Sequence, residues 1–213
     1  MRKVLILSGA GSGLAKALTS QAVDAGIDVF AISRKPIEEP AAVHVTVAEL
    51  SDPEQTSRAF ESIAKEIGKD ASPFLVNLTG KYTQESVPET NRDVLQASFE
   101  GNFLTVFNAT KALVENFDGG KAMVLTGQNA HLKTGNSAAY ASMKLAAERL
   151  FDTFRAEYQS KGFNFLTVVS GPINTWSDKK EPNTADKTEL AHFILSLMED
   201  RSFWPDRIEI RPR

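Results

Sequence analysis

Short apolar runs alternate along the chain with longer segments in which apolar residues recur every three or four positions. The short runs predict strands buried on both faces, at residues 4–7, 29–32, 43–47, 74–78, 122–125, 163–169 and 207–210. The longer segments predict amphipathic helices, the two longest at about 91–117 and 137–158. Because strands and helices alternate and nothing repeats in sequence, we expect a doubly wound α/β fold. Its mostly parallel sheet would have seven strands, with helices on both faces.

The sequence shows no linker and no domain boundary, so we expect a single domain over residues 1–213. In sheets of this kind, ligands bind beyond the carboxyl ends of the strands. The candidate chemistry should therefore lie in the loops that follow the first, second, fourth, fifth and sixth strands.

Composition narrows the classes of function. The chain has 24 Lys and Arg against 27 Asp and Glu, which argues against a nucleic-acid partner because nucleic-acid binders usually carry a basic excess. It has no cysteine, and its three histidines are scattered, so we expect no metal site. No apolar run reaches the roughly 18 residues of a membrane span or the ~7 of a signal peptide. The expectation is a soluble cytoplasmic protein with no membrane partner.

A glycine-rich segment follows the first predicted strand and opens the first predicted helix. It holds Gly9, Gly11 and Gly13, with Ser12 and Leu14 beside them. Glycine permits a positive φ and a close approach of the backbone to a ligand, and a helix N-terminus favours an anion. A tight turn without a ligand is the alternative. The position after the first strand favours the pyrophosphate of a dinucleotide, with alanine in place of the usual third glycine.

The end of the second predicted strand bears on the choice of cofactor. Ser33 and Arg34 stand where an acidic residue would bind the ribose hydroxyls of NAD. An arginine accommodates a 2′-phosphate instead, although Arg34 could also be a solvated loop charge. The sequence therefore favours NADP(H), with NAD(H) as the less favoured cofactor.

Tyr140 and Lys144 are four residues apart in the second long helix, which places them on one helix face. A phenol with a pKa near ~10 is a poor acid–base catalyst at neutral pH, and a nearby ammonium lowers that pKa. Such a tyrosine can donate a proton to a carbonyl as hydride arrives, or remove one from an alcohol in reverse. A packing tyrosine beside a surface lysine is the alternative. The glycine loop earlier in the chain favours the catalytic interpretation.

Five motifs in order resemble the short-chain dehydrogenases/reductases over essentially the whole chain. They are the Gly9-x-x-x-Gly13-x-Ala15 loop, Asn77-Leu78-Thr79-Gly80, Asn102, Tyr140-x-x-x-Lys144 and the segment 169–175. The resemblance implies a Rossmann-type fold and an NADP(H)-dependent oxidoreductase for a small carbonyl or alcohol substrate. There is also a partial similarity to the dihydropteridine reductase-like branch.

The resemblance also implies roles for individual residues. Tyr140 would be the general acid/base, Lys144 would lower its pKa and hold the nicotinamide ribose, and Asn102 would anchor a water in the proton relay. Further contacts with the cofactor are implied for residues near its adenine, its adenosine half and its carboxamide: Glu49 and Leu50, Asn77 and Gly80, and Ile173 and Thr175.

The sequence departs from the family's pattern at Gly127, where the catalytic serine usually stands. The hydroxyl of Thr126 or the amide of Gln128 could replace that serine, or Tyr140 alone suffices, as in the dihydropteridine reductase-like branch. A sensor or scaffold that binds the cofactor with weak turnover is the alternative function. His131 and Trp176 are further candidates for substrate contact.

The two long predicted helices carry apolar residues on more than one face. One face covers the sheet, and a second apolar face needs another partner. Because the family pairs these helices between subunits, we expect a homodimer or a homotetramer.

Overall fold

Seven parallel strands form the central sheet of the computed structural model, which describes residues 3–37, 40, 43–132, 135, 137–175, 177, 179, 181–199 and 203–212. Along the chain the strands are β1 (Val4–Ser8), β2 (Asp28–Ser33), β3 (Val43–Val47), β4 (Phe74–Asn77), β5 (Gly120–Gly127), β6 (Phe163–Ser170), β7 (Ile173–Asn174), β8 (Ala185–Asp186) and β9 (Arg207–Ile210). The sheet has the order β3-β2-β1-β4-β5-β6-β9, and β7 pairs with β8 apart from it. The predicted doubly wound α/β architecture is confirmed.

Helices cover both faces of the sheet. They are α1 (Gly13–Asp24), α2 (Pro53–Ile67), α3 (Arg92–Phe99), α4 (Thr105–Asn116), α5 (Ala138–Tyr158) and α6 (Lys187–Ser196). Helices α1 and α6 share one hydrophobic core with the sheet, while α2, α4 and α5 share the core on the opposite face. Among the described residues, no helix is both long enough and apolar enough to cross a membrane.

Local sequence signals account for where two of these helices begin. The Ser12 hydroxyl accepts a hydrogen bond from the Ala15 N–H at 3.1 Å and caps α1. The Asp52 carboxylate caps α2 in the same way, and Pro53 follows it at the first helical position. Both caps fix the ends of helices at the carboxyl edge of the sheet.

The first long helix differs from its prediction because a π-helical turn, Glu100–Leu104, interrupts it between α3 and α4. The Thr105 N–H donates to the Glu100 carbonyl five residues back, and the Thr105 hydroxyl donates to the Gly101 carbonyl at 3.1 Å. Asn102 lies inside this turn and is fully buried. Turns of this kind are frequent at functional sites, and this one faces the carboxyl edge of the sheet.

Candidate active site

The glycine loop lies between the carboxyl ends of β1 and β4. The N–H groups of Gly9 and Ala10 both donate to the Ile32 carbonyl at 3.1 Å, which ties the loop to β2. Gly9 has a φ of +79°, and a Cβ there would lie 2.9 Å from the Thr79 nitrogen. Glycine is therefore required at this position, for both its backbone angle and its close approach to the neighbouring loop.

The two other glycines of the loop have opposite surroundings. A Cβ on Gly13 would lie 2.1 Å from the Thr175 carbonyl oxygen, so α1 packs directly against the turn after β6. A Cβ on Gly11 would meet nothing within 4 Å, because that glycine faces open space beside the start of α1. This open cradle at a helix N-terminus fits a pyrophosphate. The Ser12 side chain caps the helix. The Leu14 side chain is buried in the core, so only the backbone of Leu14 is available to a ligand.

The residues predicted to contact the ribose of the cofactor lie at the end of β2 and directly after it. Arg34 and Lys35 are both exposed at this end of the strand. The Ser33 hydroxyl is buried and donates a hydrogen bond to the Lys35 carbonyl. The exposed cations fit a phosphate group, while Ser33 shapes the turn that carries them.

The two residues predicted near the adenine, Glu49 and Leu50, follow β3 and have different surroundings. Glu49 is half-buried, and its carboxylate accepts hydrogen bonds from the Ser51 N–H and hydroxyl at 3.2 and 3.0 Å. Leu50 is only 3% exposed and its side chain belongs to the core, and its predicted contact with the adenine stays a prediction. A cavity of about 340 Å³ lies beside this segment, lined by residues 46–48 and Gln55 among others.

Asn77 lies below the cleft and joins several elements. Its amide nitrogen donates to the Met123 carbonyl at 3.2 Å and to the Thr110 hydroxyl at 3.4 Å, and its oxygen accepts from the Ser8 hydroxyl at 3.0 Å. The side chain is fully buried. Asn77 therefore shapes the edge of β1, β4 and β5 from beneath, without presenting its side chain to a ligand.

Asn102 holds the turn after β4 in place. Its side-chain oxygen accepts from the Lys81 N–H at 3.1 Å, and its nitrogen donates to the Lys81 carbonyl at 3.0 Å. A Cβ on Gly80 would lie 3.1 Å from the Asn102 oxygen and 3.0 Å from the Lys144 Nζ. Glycine at this position therefore lets the turn pass between Asn102 and Lys144. The water site predicted for Asn102 stays a prediction.

Lys144 is buried beneath the same turn, with a relative exposure of 5%. Its ammonium donates to the carbonyls of Thr79 and Leu125, both at 3.2 Å. Nζ lies 6.0 Å from the centre of the Tyr140 ring, on the same side of α5. Burial lowers the pKa of Lys144 to about 8, and the negative charge of Glu148 opposes that effect.

The surroundings of Tyr140 shift the pKa of its phenol. Burial raises it above the ordinary value of a phenol, and the neighbouring Tyr82 raises it further. Lys144 directs its ammonium at two backbone carbonyls, and its predicted lowering of the Tyr140 pKa stays a prediction. At neutral pH Tyr140 is therefore an uncharged phenol, able to donate a proton.

Thr126, a candidate to replace the absent serine, and His131, a candidate for substrate contact, both bind the carboxylate of Glu148. The Thr126 hydroxyl is buried and donates to the Glu148 carboxylate at 2.6 Å. The same carboxylate oxygen lies 2.7 Å from the His131 Nε2. Both side chains thus bind Glu148, and their predicted contacts with a substrate stay predictions.

Three other predicted residues lie in or near the turn after β6. The side-chain oxygen of Gln128 lies 3.6 Å from the place of a Cβ on Gly171, so Gln128 faces this turn. Ile173 is half-buried and pairs with Ala185 in the small sheet. Thr175 presents its carbonyl to Gly13, as described above. Trp176 lies outside the described residues.

Sequence reasoning missed two residues of the site. Glu148 is four residues beyond Lys144 on α5, and its side chain is 11% exposed. Besides Thr126 and His131, it binds the Arg207 guanidinium from β9 at 2.6 Å. The repeated spacing of four residues was a signal for Glu148. The second missed residue is Tyr82, whose ring packs edge-on against Tyr140.

Among the residues that the structure describes, no group of three or more His, Cys, Asp or Glu side chains could hold a metal ion. The described residues bring together the glycine loop at the start of α1 and, at the same edge of the sheet, the phenol of Tyr140 and the ammonium of Lys144. The family model described as short chain dehydrogenase matches residues 3–186, and the chain belongs to this family of oxidoreductases.

Relatives of known sequence agree with this assignment. The chain is 27% identical over 191 residues to the NADPH-dependent 3-dehydrocapnine reductase of Ornithobacterium rhinotracheale, covering 82% of this chain and 68% of that protein. It is 24% identical over 186 residues to General stress protein 39 of Bacillus subtilis, covering 81% of this chain. The chain spans 64% of the length of that second relative.

Solved structures share the fold. An alcohol dehydrogenase of Thermococcus sibiricus, complexed with 5-hydroxy-NADP, superposes with a TM-score of 0.84 at 20% identity, covering 99% of this chain and 96% of that one. A short chain dehydrogenase of Burkholderia cenocepacia in complex with NADP has a TM-score of 0.82 at 23% identity, covering 97% and 86%. At these identities the likeness establishes the Rossmann-type fold.

Proposed function

We propose that the protein is an NADP(H)-dependent oxidoreductase that interconverts a small carbonyl compound and an alcohol. The observation that carries this proposal is the placement of Tyr140 over the buried Lys144, at the same sheet edge as the open cradle at Gly11. Ligands of doubly wound sheets bind at this edge. A phenol beside it can exchange a proton with a bound substrate.

The chain's own residues would transfer the proton and bind the cofactor and the substrate. NADPH, when bound, supplies a hydride to the carbonyl carbon. Tyr140 donates its phenolic proton to the carbonyl oxygen, and its raised pKa suits this direction because the phenol must be protonated first. The ammonium of Lys144 stabilises the phenolate left behind, and it would hold the ribose hydroxyls of the cofactor. The start of α1 would hold the pyrophosphate.

Two observations support NADP(H) over NAD(H). Arg34 is exposed after β2, where it can meet a 2′-phosphate. The 3-dehydrocapnine reductase is NADPH-dependent by name, and the Burkholderia cenocepacia structure is a complex with NADP.

The test compares Tyr140→Phe with Tyr158→Phe, the same substitution at the far end of the same helix. NADPH oxidation is screened against aldehydes, ketones and quinonoid pterins. We expect Tyr140→Phe to abolish turnover and to leave the dissociation constant of NADPH nearly unchanged, while Tyr158→Phe keeps the wild-type rate. A wild-type rate for Tyr140→Phe on a genuine substrate would contradict the mechanism.

The second candidate function is a sensor or scaffold that binds NADP(H) with little turnover. Gly127 favours it, because the position of the family's serine carries no donor group. The same screen separates the two functions. Tight NADPH binding without oxidation by any substrate class would favour the sensor.

We also propose that two or four copies associate through the long helices. Phe99, Phe103 and Phe107 form a stacked row of half-buried rings with centroid distances of 5.4 and 6.4 Å. Leu95 on α3 and Leu145 on α5 are each about two-fifths exposed. A second copy of these helices would cover such apolar groups. Light scattering at micromolar concentration should give a dimer or tetramer, and a monomer would contradict the proposal.

A further inference from the structure

A reduction of this kind benefits from a second hydrogen-bond donor on the substrate oxygen, where negative charge develops. Position 127 cannot supply it, because Gly127 has no side chain. The hydroxyl of Thr126 is buried against Glu148, and His131 binds the same carboxylate. The Gln128 side chain faces Gly171 in the turn after β6. A second donor on the side of β4 would come from another element at the edge of the sheet.

Tyr82 lies in the segment after β4 and packs against the Tyr140 ring. The two rings meet edge to face, with centroids 5.0 Å apart and planes at 77°. Tyr82 is 56% exposed, so a molecule entering the site can reach it. The residue before it is held by both hydrogen bonds of the Asn102 side chain to the Lys81 backbone. An accessible phenol is thus fixed beside the proton donor by a buried side chain.

We propose that Tyr82 is a catalytic residue that donates a hydrogen bond to the substrate oxygen, in place of the hydroxyl that Gly127 lacks. This inference rests on the function proposed above. Tyr82 keeps its proton throughout: the proton that reaches the alkoxide oxygen comes from Tyr140, and the hydride comes from NADPH. The contribution of Tyr82 is to stabilise charge on the oxygen while the new C–H bond forms.

The electrostatics of the pair agree with this arrangement. The groups that face Tyr140 are Tyr82 from the turn after β4 and Lys144 from its own helix. The electrostatic effect of the neighbouring Tyr82 raises the pKa of Tyr140. A phenolic hydroxyl can donate a hydrogen bond, so the two neighbouring tyrosines can donate to one acceptor.

The first test is Tyr82→Phe, which keeps the ring and removes the hydroxyl. If the hydroxyl acts on the developing charge, kcat should fall by about 10²-fold, with little change in NADPH affinity. Tyr158→Phe is the matched control and should keep its rate. If Tyr82 is only an apolar wall of the pocket, Tyr82→Phe will match the wild type, and the inference is overturned. An active Tyr140→Phe would instead overturn the proposed function, so the two failures are distinguishable.

The second test needs neither cofactor nor substrate. The chain has three tyrosines, so the phenolate absorbance of each can be assigned from the spectra of Tyr82→Phe, Tyr140→Phe and Tyr158→Phe during a pH titration. Tyr82→Phe should make Tyr140 ionise at lower pH than in the wild type, whereas Tyr158→Phe should not. An unchanged titration of Tyr140 in Tyr82→Phe would mean that the two hydroxyls are not neighbours and would overturn the inference.

Discussion

The hydroxyl oxygen of Tyr140 lies 3.0 Å from the place that a Cβ on Gly127 would take. The Tyr140 hydroxyl therefore lies in the space that a side chain at position 127 would need, so a larger residue there would push the phenol away from the end of β5. The glycine at this position thus gives the phenol its present place, in addition to removing the family's serine.

Gly127→Ala should displace the Tyr140 hydroxyl by a few tenths of an ångström and lower kcat several-fold, because small errors in the placement of a reacting group are costly. Gly127→Ser should likewise fail to raise the rate above that of the wild type. Steady-state kinetics on one substrate checks both variants. Gly135→Ala is the control, since a Cβ there meets nothing within 4 Å. A faster Gly127→Ser enzyme would contradict the prediction.

Two glycines of the first loop should separate folding from cofactor binding. Gly13→Ala forces a Cβ against the Thr175 carbonyl, which should cost about 1–3 kcal/mol of the free energy of unfolding and lower Tm. Gly11→Ala should leave Tm unchanged but weaken NADPH binding, because its Cβ enters the open cradle. Thermal unfolding and fluorescence titration with NADPH measure the two effects. The reverse pattern would place the pyrophosphate elsewhere.

The charge of Arg34 should decide the choice of cofactor. Arg34→Asp should weaken NADPH binding by about tenfold or more and improve NADH binding, since a carboxylate repels a 2′-phosphate and accepts hydrogen bonds from ribose hydroxyls. Arg92→Asp makes the same change in net charge at the exposed start of α3 and should alter neither dissociation constant. Unchanged constants for Arg34→Asp would remove this residue from the cofactor site.

The rate of carbonyl reduction should fall as the pH rises through about 8, where Lys144 loses its proton and can no longer stabilise the phenolate of Tyr140. Glu148 raises the pKa of Lys144, so Glu148→Gln should move this decline to lower pH. The pH profile of kcat checks both statements. Glu157→Gln, an exposed position on the same helix, should leave the profile unchanged. A decline that stays in place in Glu148→Gln would mean that Glu148 does not act on Lys144.

Local sequence patterns were sufficient to predict much of the fold and the centre of the candidate site. The seven strands of the central sheet, the glycine loop and the shared helix face of Tyr140 and Lys144 were predictable, whereas the short strands β7 and β8 were not. Side-chain periodicity and the conformational freedom of glycine act over a few residues, so the sequence displays them directly. The place of each loop at one sheet edge then followed from the topology of parallel strands.

The sequence by itself determined which elements form and which chemical groups reach the carboxyl edge. The tertiary structure decided where those groups point and how they ionise. Thr126 and His131 bind Glu148 because β5 and α5 pack against each other. Tyr82 contacts Tyr140 because Asn102 holds the turn after β4 in place. The pKa of Tyr140 rises because burial removes water from the phenol. Hydration and contacts between distant segments depend on the whole packed molecule, and no short stretch of sequence contains them.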